Sequence, residues 1–142
     1  MPNEQELRQA ICWAGGRLYE QGFAAANDGN ISVRLDNGNM LTTPTGVSKG
    51  ELTPEMLVVV DASGKLLAGE RKPSTELKLH LRVYARRPDV QAVVHAHPPY
   101  ATSFAVVGRP LKEPLIAEAI VHVGPVALAP YATPGTEEVP DS

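Results

Sequence analysis

The chain has 142 residues, enough for one domain with its own core, and its 43% hydrophobic and 20% charged content is that expected of a soluble globular protein. No apolar run reaches the roughly 20 residues that a membrane span needs, and a net charge of −3 with 13 scattered Lys and Arg leaves no basic stripe for nucleic-acid phosphates. The start, Met1 to Leu7, has neither the basic stretch nor the apolar run of a secretory leader, and the single Cys12 precludes an intramolecular disulfide, so the cytoplasm is the expected compartment.

Asn3 followed by Glu6 is a capping-box start, and Leu7, Ile11, Ala14 and Leu18 recur at helical spacing until Gly22, which predicts a helix over 4–21. The turn-forming Asn27-Asp-Gly-Asn30 leads into Ile31-Ser-Val-Arg-Leu35, whose alternation is that of a half-buried strand. Asp36-Asn-Gly38 is a hairpin signal that pairs 39–43 with 31–35. Thr43-Pro-Thr-Gly46 is a tight loop, and Thr53-Pro-Glu55 places a cap and an N1 proline at the start of one helical turn. Leu57 to Val60 and Lys65 to Ala68, separated by the turn Asp61-Ala-Ser-Gly64, extend an antiparallel meander.

From Ser74 the period becomes helical: Leu77, His80, Leu81 and Tyr84 share one face of a helix over 75–86, bounded by Pro88. Ala92 to His97 is expected as a core strand ended by Pro98-Pro99, and a helix over 100–107 follows. The remainder is compatible with a helical turn near 115 and a strand at 126–129. Residues 136–142 begin like a helix N-terminus. The paired Arg71-Lys72 and Arg86-Arg87 are expected on solvated surface, and Cys12 in packing.

His95-Ala-His97 carries the sharpest chemistry. Alternate residues of a strand share a face, which sets the two imidazoles about 6 to 7 Å apart along the backbone and able to converge on one ion. Neutral imidazole suits zinc and related divalent metals, although two histidines merely hydrogen-bonded at a strand end would show the same spacing. The adjoining Pro-Pro favours a site, because functional residues collect where strands give way to loops. Glu76, at the start of the second helix, is either a carboxylate favoured by the helix dipole or a proton-shuttling base beside the metal. Ser74 and Thr75 are caps or part of an anion site, and Asn27, Asn30, Thr45 and Gly46 are turn residues whose loops could surround one phosphate. His80 and the isolated His122 are expected as core histidines.

In order, Asn27 to Arg34, Thr43 to Gly46, Lys72 to Glu76, Arg87 to Val90, Val94 to Pro98 and Ala129 to Gly135 resemble the successive blocks of the class II aldolase/adducin family, nearest its fuculose-phosphate aldolase branch. The resemblance spans residues 4–138. It implies a single α/β domain over 1–142, layered α/β/α around a mostly antiparallel sheet, C-terminally incomplete, and assembled as a homotetramer. It implies zinc held by His95, His97 and Glu76, with Glu76 also the catalytic base, and a sugar phosphate held by Asn27, Asn30, Thr45, Gly46, Ser74 and Thr75. A third zinc histidine and the closing helices belong downstream of this chain. A proton-donating tyrosine of the branch falls at Ile116, near Glu118. The implied activity is aldol cleavage of a small sugar phosphate to dihydroxyacetone phosphate and an aldehyde. Epimerisation at C4 of a pentulose phosphate, dehydration, or a non-catalytic adducin-like interaction domain are the alternatives.

Overall fold

A computed structural model of the chain describes residues 2–111, 113 and 116–141. Helix α1 spans Glu4–Glu20 and opens with the capping box the sequence predicts: Glu6 N–H donates to Asn3 Oδ1 at 2.9 Å and Asn3 N–H to Glu6 Oε2 at 2.8 Å. Five strands follow, β1 (Asn30–Arg34), β2 (Met40–Thr42), β3 (Val58–Val60), β4 (Leu66–Ala68) and β5 (Ala92–His95). They form one antiparallel sheet in the order β4-β3-β2-β1-β5. Helices α2 (Leu77–Arg86), α3 (Pro99–Val106), α4 (Ala117–His122) and α5 (Glu138–Asp141) complete the set, with 3-10 turns at Lys49–Glu51 and Pro54–Met56. Thr53 stands at the start of the second of these without a side-chain capping bond.

The two faces of the sheet are covered by different helices, giving the expected α/β/α layering. Register assigns the sides: Leu41 lies opposite Val59 and Met40 opposite Val60. Leu41 and Val59 join Ile31, Leu35 and Leu57 beneath Ile11 of α1, whereas Met40 and Val60 pack with Leu77 and Tyr84 of α2. The alternation in β1 therefore does not separate core from water. Its polar residues turn toward α2, where Ser32 is fully buried and its hydroxyl bonds His80 Nδ1 (2.7 Å) and Tyr84 OH (2.8 Å). Arg34 donates to Tyr84 O at 2.9 Å and lies 4.8 Å from the centre of that ring. A polar strand face survives burial because nearly every group on it finds a partner.

The C-terminal third departs from expectation. Strand β5 is not central but the sheet's edge: Ala92 is exposed, Val94 is 55% exposed, and the strand ends at His95 rather than His97. Where a strand was expected at 126–129 there is one isolated bridge, Leu111 with Val126. Helix α4 occupies 117–122, next to the expected turn, whose residues 114 and 115 lie outside those described. His122 is exposed, not a core histidine, because α4 has no buried face.

Leu57 is fully buried in the α1-side core and Leu67 is 49% exposed on β4. Leu57→Ala should cost about 2–5 kcal/mol and Leu67→Ala less than about 0.5 kcal/mol, compared by urea unfolding.

Candidate active site

A cavity of about 540 Å³ opens where the loop before β1, the loop after β2, the start of α2 and the end of β5 meet. Asn27, Asn30, Thr45, Gly46, Ser74, Thr75, Glu76, His95 and His97, the residues expected to hold metal and phosphate, line it together.

Antiparallel pairing sets Asn30 opposite His95, so the Asn27–Asn30 turn crosses the end of β5. Gly29 has φ +73°, and a Cβ there would stand 2.8 Å from the carbonyl oxygen of His95; only glycine lets the chains pass so closely. Lys49 secures the turn from below. Its side chain is 1% exposed, and Nζ donates to Asn27 O at 3.1 Å and Val47 O at 2.7 Å. Burial lowers the pKa of this ammonium, and the charge of Asp28 opposes that shift. On the opposite wall Thr45 N–H donates to Lys72 O (3.0 Å) and Ser74 N–H to Thr43 O (3.3 Å), zipping the two loops together.

Glu76 stands at the N-cap of α2, outside the helix proper, and its N–H donates to Ser74 Oγ at 3.2 Å. Ser74 is thereby a local turn-former as well as a cavity residue. The carboxylate of Glu76 stabilises a protonated His95 electrostatically, and its Oε1 lies 3.8 Å from where a Cβ on Gly135 would sit.

The two imidazoles meet edge to edge: Nε2 of His95 is 3.2 Å from Nε2 of His97, with ring centres 4.9 Å apart. His97, beyond the strand, is positioned by its backbone N–H donating to Phe23 O at 2.8 Å. Asp28 Oδ2 stands 3.8 Å from its Nδ1, and Asn30 Nδ2 stands 3.4 Å from Nδ1 of His95. Burial pushes the His95 pKa down, His97 adds to that, and Glu76 and Asp28 pull the other way. The neutral imidazole that results is the form that ligates metals.

These residues fit a divalent ion. Two nitrogens each roughly 2.0–2.1 Å from a tetrahedral zinc lie about 3.3 Å apart, the separation seen here. Among the described residues, however, no group of three or more His, Cys, Asp or Glu side chains is gathered tightly enough to hold an ion, so Glu76 shares the cavity with the histidines without closing a three-ligand set.

His80 is buried and hydrogen-bonded as expected, and Cys12 is half-buried against the α1-side core, its thiol pKa raised by burial. The sequence gives no site role to Asp28, to Lys49 beneath the turn, or to the wall formed by Ala129 to Pro134, in which Tyr131 is 91% exposed. The turn containing Asp28 was recognised, but nothing in Val47-Ser-Lys-Gly50 marks its lysine as buried. The signal for the wall is the Ala129 to Gly135 block, which the resemblance includes without a role. Ile116 is 61% exposed and does not line the cavity.

Residues 9–142 match the family model described as Class II Aldolase and Adducin N-terminal domain. The chain is 37% identical to 5-deoxy-D-ribulose 1-phosphate aldolase of Bacillus thuringiensis serovar kurstaki, over 97% of this chain and 65% of that protein. It is also 37% identical to 3-oxo-tetronate 4-phosphate decarboxylase of Haemophilus influenzae, over 93% of this chain and 64% of that protein. The chain thus spans just under two-thirds of the length of these curated relatives. Among solved structures, L-fuculose-1-phosphate aldolase from Thermus thermophilus superposes with a TM-score of 0.81 at 36% identity, over 95% of this chain and 67% of that one.

Burial, aided by His95, lowers the His80 pKa from 6.5 to about 4. Above pH 6.5 the residue is neutral folded or unfolded. Below it the unfolded chain takes up a proton that the native state refuses until about pH 4, so this site removes on the order of 3 kcal/mol of stability across that window. Urea unfolding between pH 7 and 4 should show a shallower loss of stability with falling pH in His80→Gln than in the parent.

Proposed function

The chain belongs to the class II aldolase and adducin N-terminal domain family, and from that premise we propose that it carries the metal-binding and phosphate-binding residues of a lyase that breaks a carbon–carbon bond in a small sugar phosphate. The observation that carries this reading is the 3.2 Å approach of His95 and His97 Nε2 in a cavity that also holds Glu76 and two loops rich in hydroxyl and backbone N–H donors.

His95 and His97 would hold the cation, zinc by the nature of its donors, with further ligands from Glu76, water or protein outside the described residues. When bound, the cation supplies Lewis-acid polarisation of the substrate carbonyl. Glu76 stands at a helix start, where its carboxylate is favoured and free of any side-chain cap, and acts as the base that removes or returns a proton next to that carbonyl. Thr45, Gly46, Ser74 and Thr75 on one wall, with Asn27 and Asn30 on the other, grip the phosphate. Their hydroxyl, amide and backbone donors turn remote binding energy into orientation of the bond that breaks.

The leading reaction is aldol cleavage to dihydroxyacetone phosphate and an aldehyde, as the names of the ribulose- and fuculose-phosphate aldolase relatives suggest. Identity to the decarboxylase of Haemophilus influenzae favours a second reading, in which the departing carbon is a carboxylate. Both need the same carbonyl polarisation and proton transfer. The presence of His95, His97 and Glu76 in one cavity argues against a non-catalytic interaction domain. Exposed Tyr100 and Val106 on α3 and Val121 on α4 leave apolar surface that further protein would cover, and a homotetramer in the cytoplasm is the assembly and compartment proposed.

Incubating the protein with fuculose 1-phosphate, rhamnulose 1-phosphate, ribulose 5-phosphate, 5-deoxyribulose 1-phosphate and 3-oxo-tetronate 4-phosphate, with and without chelator, should yield chelator-sensitive cleavage of at least one. No turnover of any, or turnover indifferent to chelator, would contradict the reading. Glu76→Gln should retain metal and lower kcat roughly 10²–10⁴-fold, whereas His95→Ala or His97→Ala should lose the metal with the sheet intact by circular dichroism.

A further inference from the structure

The amide of Asn30 is out of register with the metal site it adjoins. Asn30 is 3% exposed, and Nδ2 faces Nδ1 of His95 at 3.4 Å while Oδ1 is buried with no partner. Among the described residues only one other buried side-chain polar atom is left so, Nε2 of His80.

With Nδ2 of Asn30 turned toward it, Nδ1 of His95 would be the acceptor and the single ring proton would sit on Nε2. That proton would point at Nε2 of His97, 3.2 Å away, and leave the His97 proton on Nδ1, on the side of Asp28. In that arrangement His97 offers Nε2 to a metal and His95 does not.

We propose that Asn30 sets the tautomer of His95: a half-turn of its amide brings Oδ1 against Nδ1, accepts the ring proton there, and frees Nε2 for a divalent cation. A metal-bound histidine ordinarily donates its second ring N–H to a carboxylate or carbonyl oxygen, which fixes both tautomer and ring orientation. Asp28 lies on that side of His97, its Oδ2 3.8 Å from Nδ1, and the Asn30 amide is the group within reach of Nδ1 on His95, at 3.4 Å. The β1–β5 pairing, which sets Asn30 directly opposite His95, holds the two side chains together throughout. Asn30 is on this account a positioning residue for the metal, in addition to any contact with the substrate phosphate. The inference rests on the metal-site reading above.

Zinc affinity, measured by competition with a chromophoric chelator, tests it on the parent protein, Asn30→Leu and Asn30→Asp. Leucine removes the acceptor at similar volume and should weaken zinc about 10–100-fold. Aspartate keeps an acceptor and should bind zinc at least as tightly as the parent, even though its charge opposes a phosphate. A residue that served only the phosphate would leave zinc affinity within twofold in both variants, which overturns the proposal. Should either variant fold poorly, ¹⁵N-histidine NMR of the parent decides independently. The His95 proton should reside on Nε2 without metal and on Nδ1 with zinc, and a proton already on Nδ1 before zinc is added would refute the switch. A parent protein that takes up no zinc sinks this proposal together with the metal-site reading, whereas normal uptake with an indifferent Asn30→Leu sinks the proposal alone.

Discussion

Strand β5 adds to the sheet antiparallel to β1, and the cavity depends on that pairing. The four partners from Asn30–His95 to Val33–Ala92 fix where β5 ends, and the chain leaves the sheet directly beside the Asn27–Asn30 turn. A slip of one residue would turn His95 to the opposite face of the sheet and take Asn30 away from it. Gly29 makes the crossing possible, because any Cβ would strike the His95 carbonyl.

Around that crossing, the remaining walls are tied through hydrogen bonds to backbone groups. The Thr43–Lys72 loops are stitched together by their own amides, and Lys49 reaches two carbonyls from beneath. Desolvating an ammonium is unfavourable even when backbone oxygens accept its hydrogen bonds, so its presence under the Asn27 turn marks a place where the fold tolerates that penalty to hold the turn rigid. The side chains left facing the cavity, Glu76, Thr75 and His97 among them, are then free to meet a ligand instead of holding the fold together. The buried Tyr84–Ser32–His80 group lies deeper, joining β1 to α2 and fixing the helix whose N-cap is Glu76.

Much of this was legible in the sequence, for identifiable reasons. Periodicity located α1, α2 and the meander because each has a wide apolar face, and the turn chemistry of Asn37-Gly38 fixed the β1–β2 register. His95 and His97 were legible from their alternate spacing in a strand, and Asn27, Asn30, Thr45, Gly46, Ser74, Thr75 and Glu76 from the resemblance of their blocks to the family; the cavity brings all of them together. What the sequence concealed was long-range. The Val93-Val94 run of β5 suggests a central strand, yet it lies at the sheet's edge, since nothing local reveals that no sixth strand among the described residues pairs beyond it. The polar side of β1 suggests solvent, yet it is sealed by α2 through hydrogen bonds that are visible only once Ser32, His80 and Tyr84 are brought together. The apolar stretch around His122 suggests a core, yet α4 buries none of its residues. Lys49 is a charged residue in a polar loop, and only the packed structure shows it enclosed.

The central claim is that two imidazoles hold one cation at the floor of this cavity. X-ray absorption spectroscopy at the zinc edge on the zinc-loaded chain measures that directly. The account predicts two imidazole nitrogens at about 2.0–2.1 Å, with the characteristic outer-shell scattering of the rings lost in the His95→Ala/His97→Ala double variant. A zinc spectrum without imidazole scattering, or one unchanged in the double variant, would contradict it.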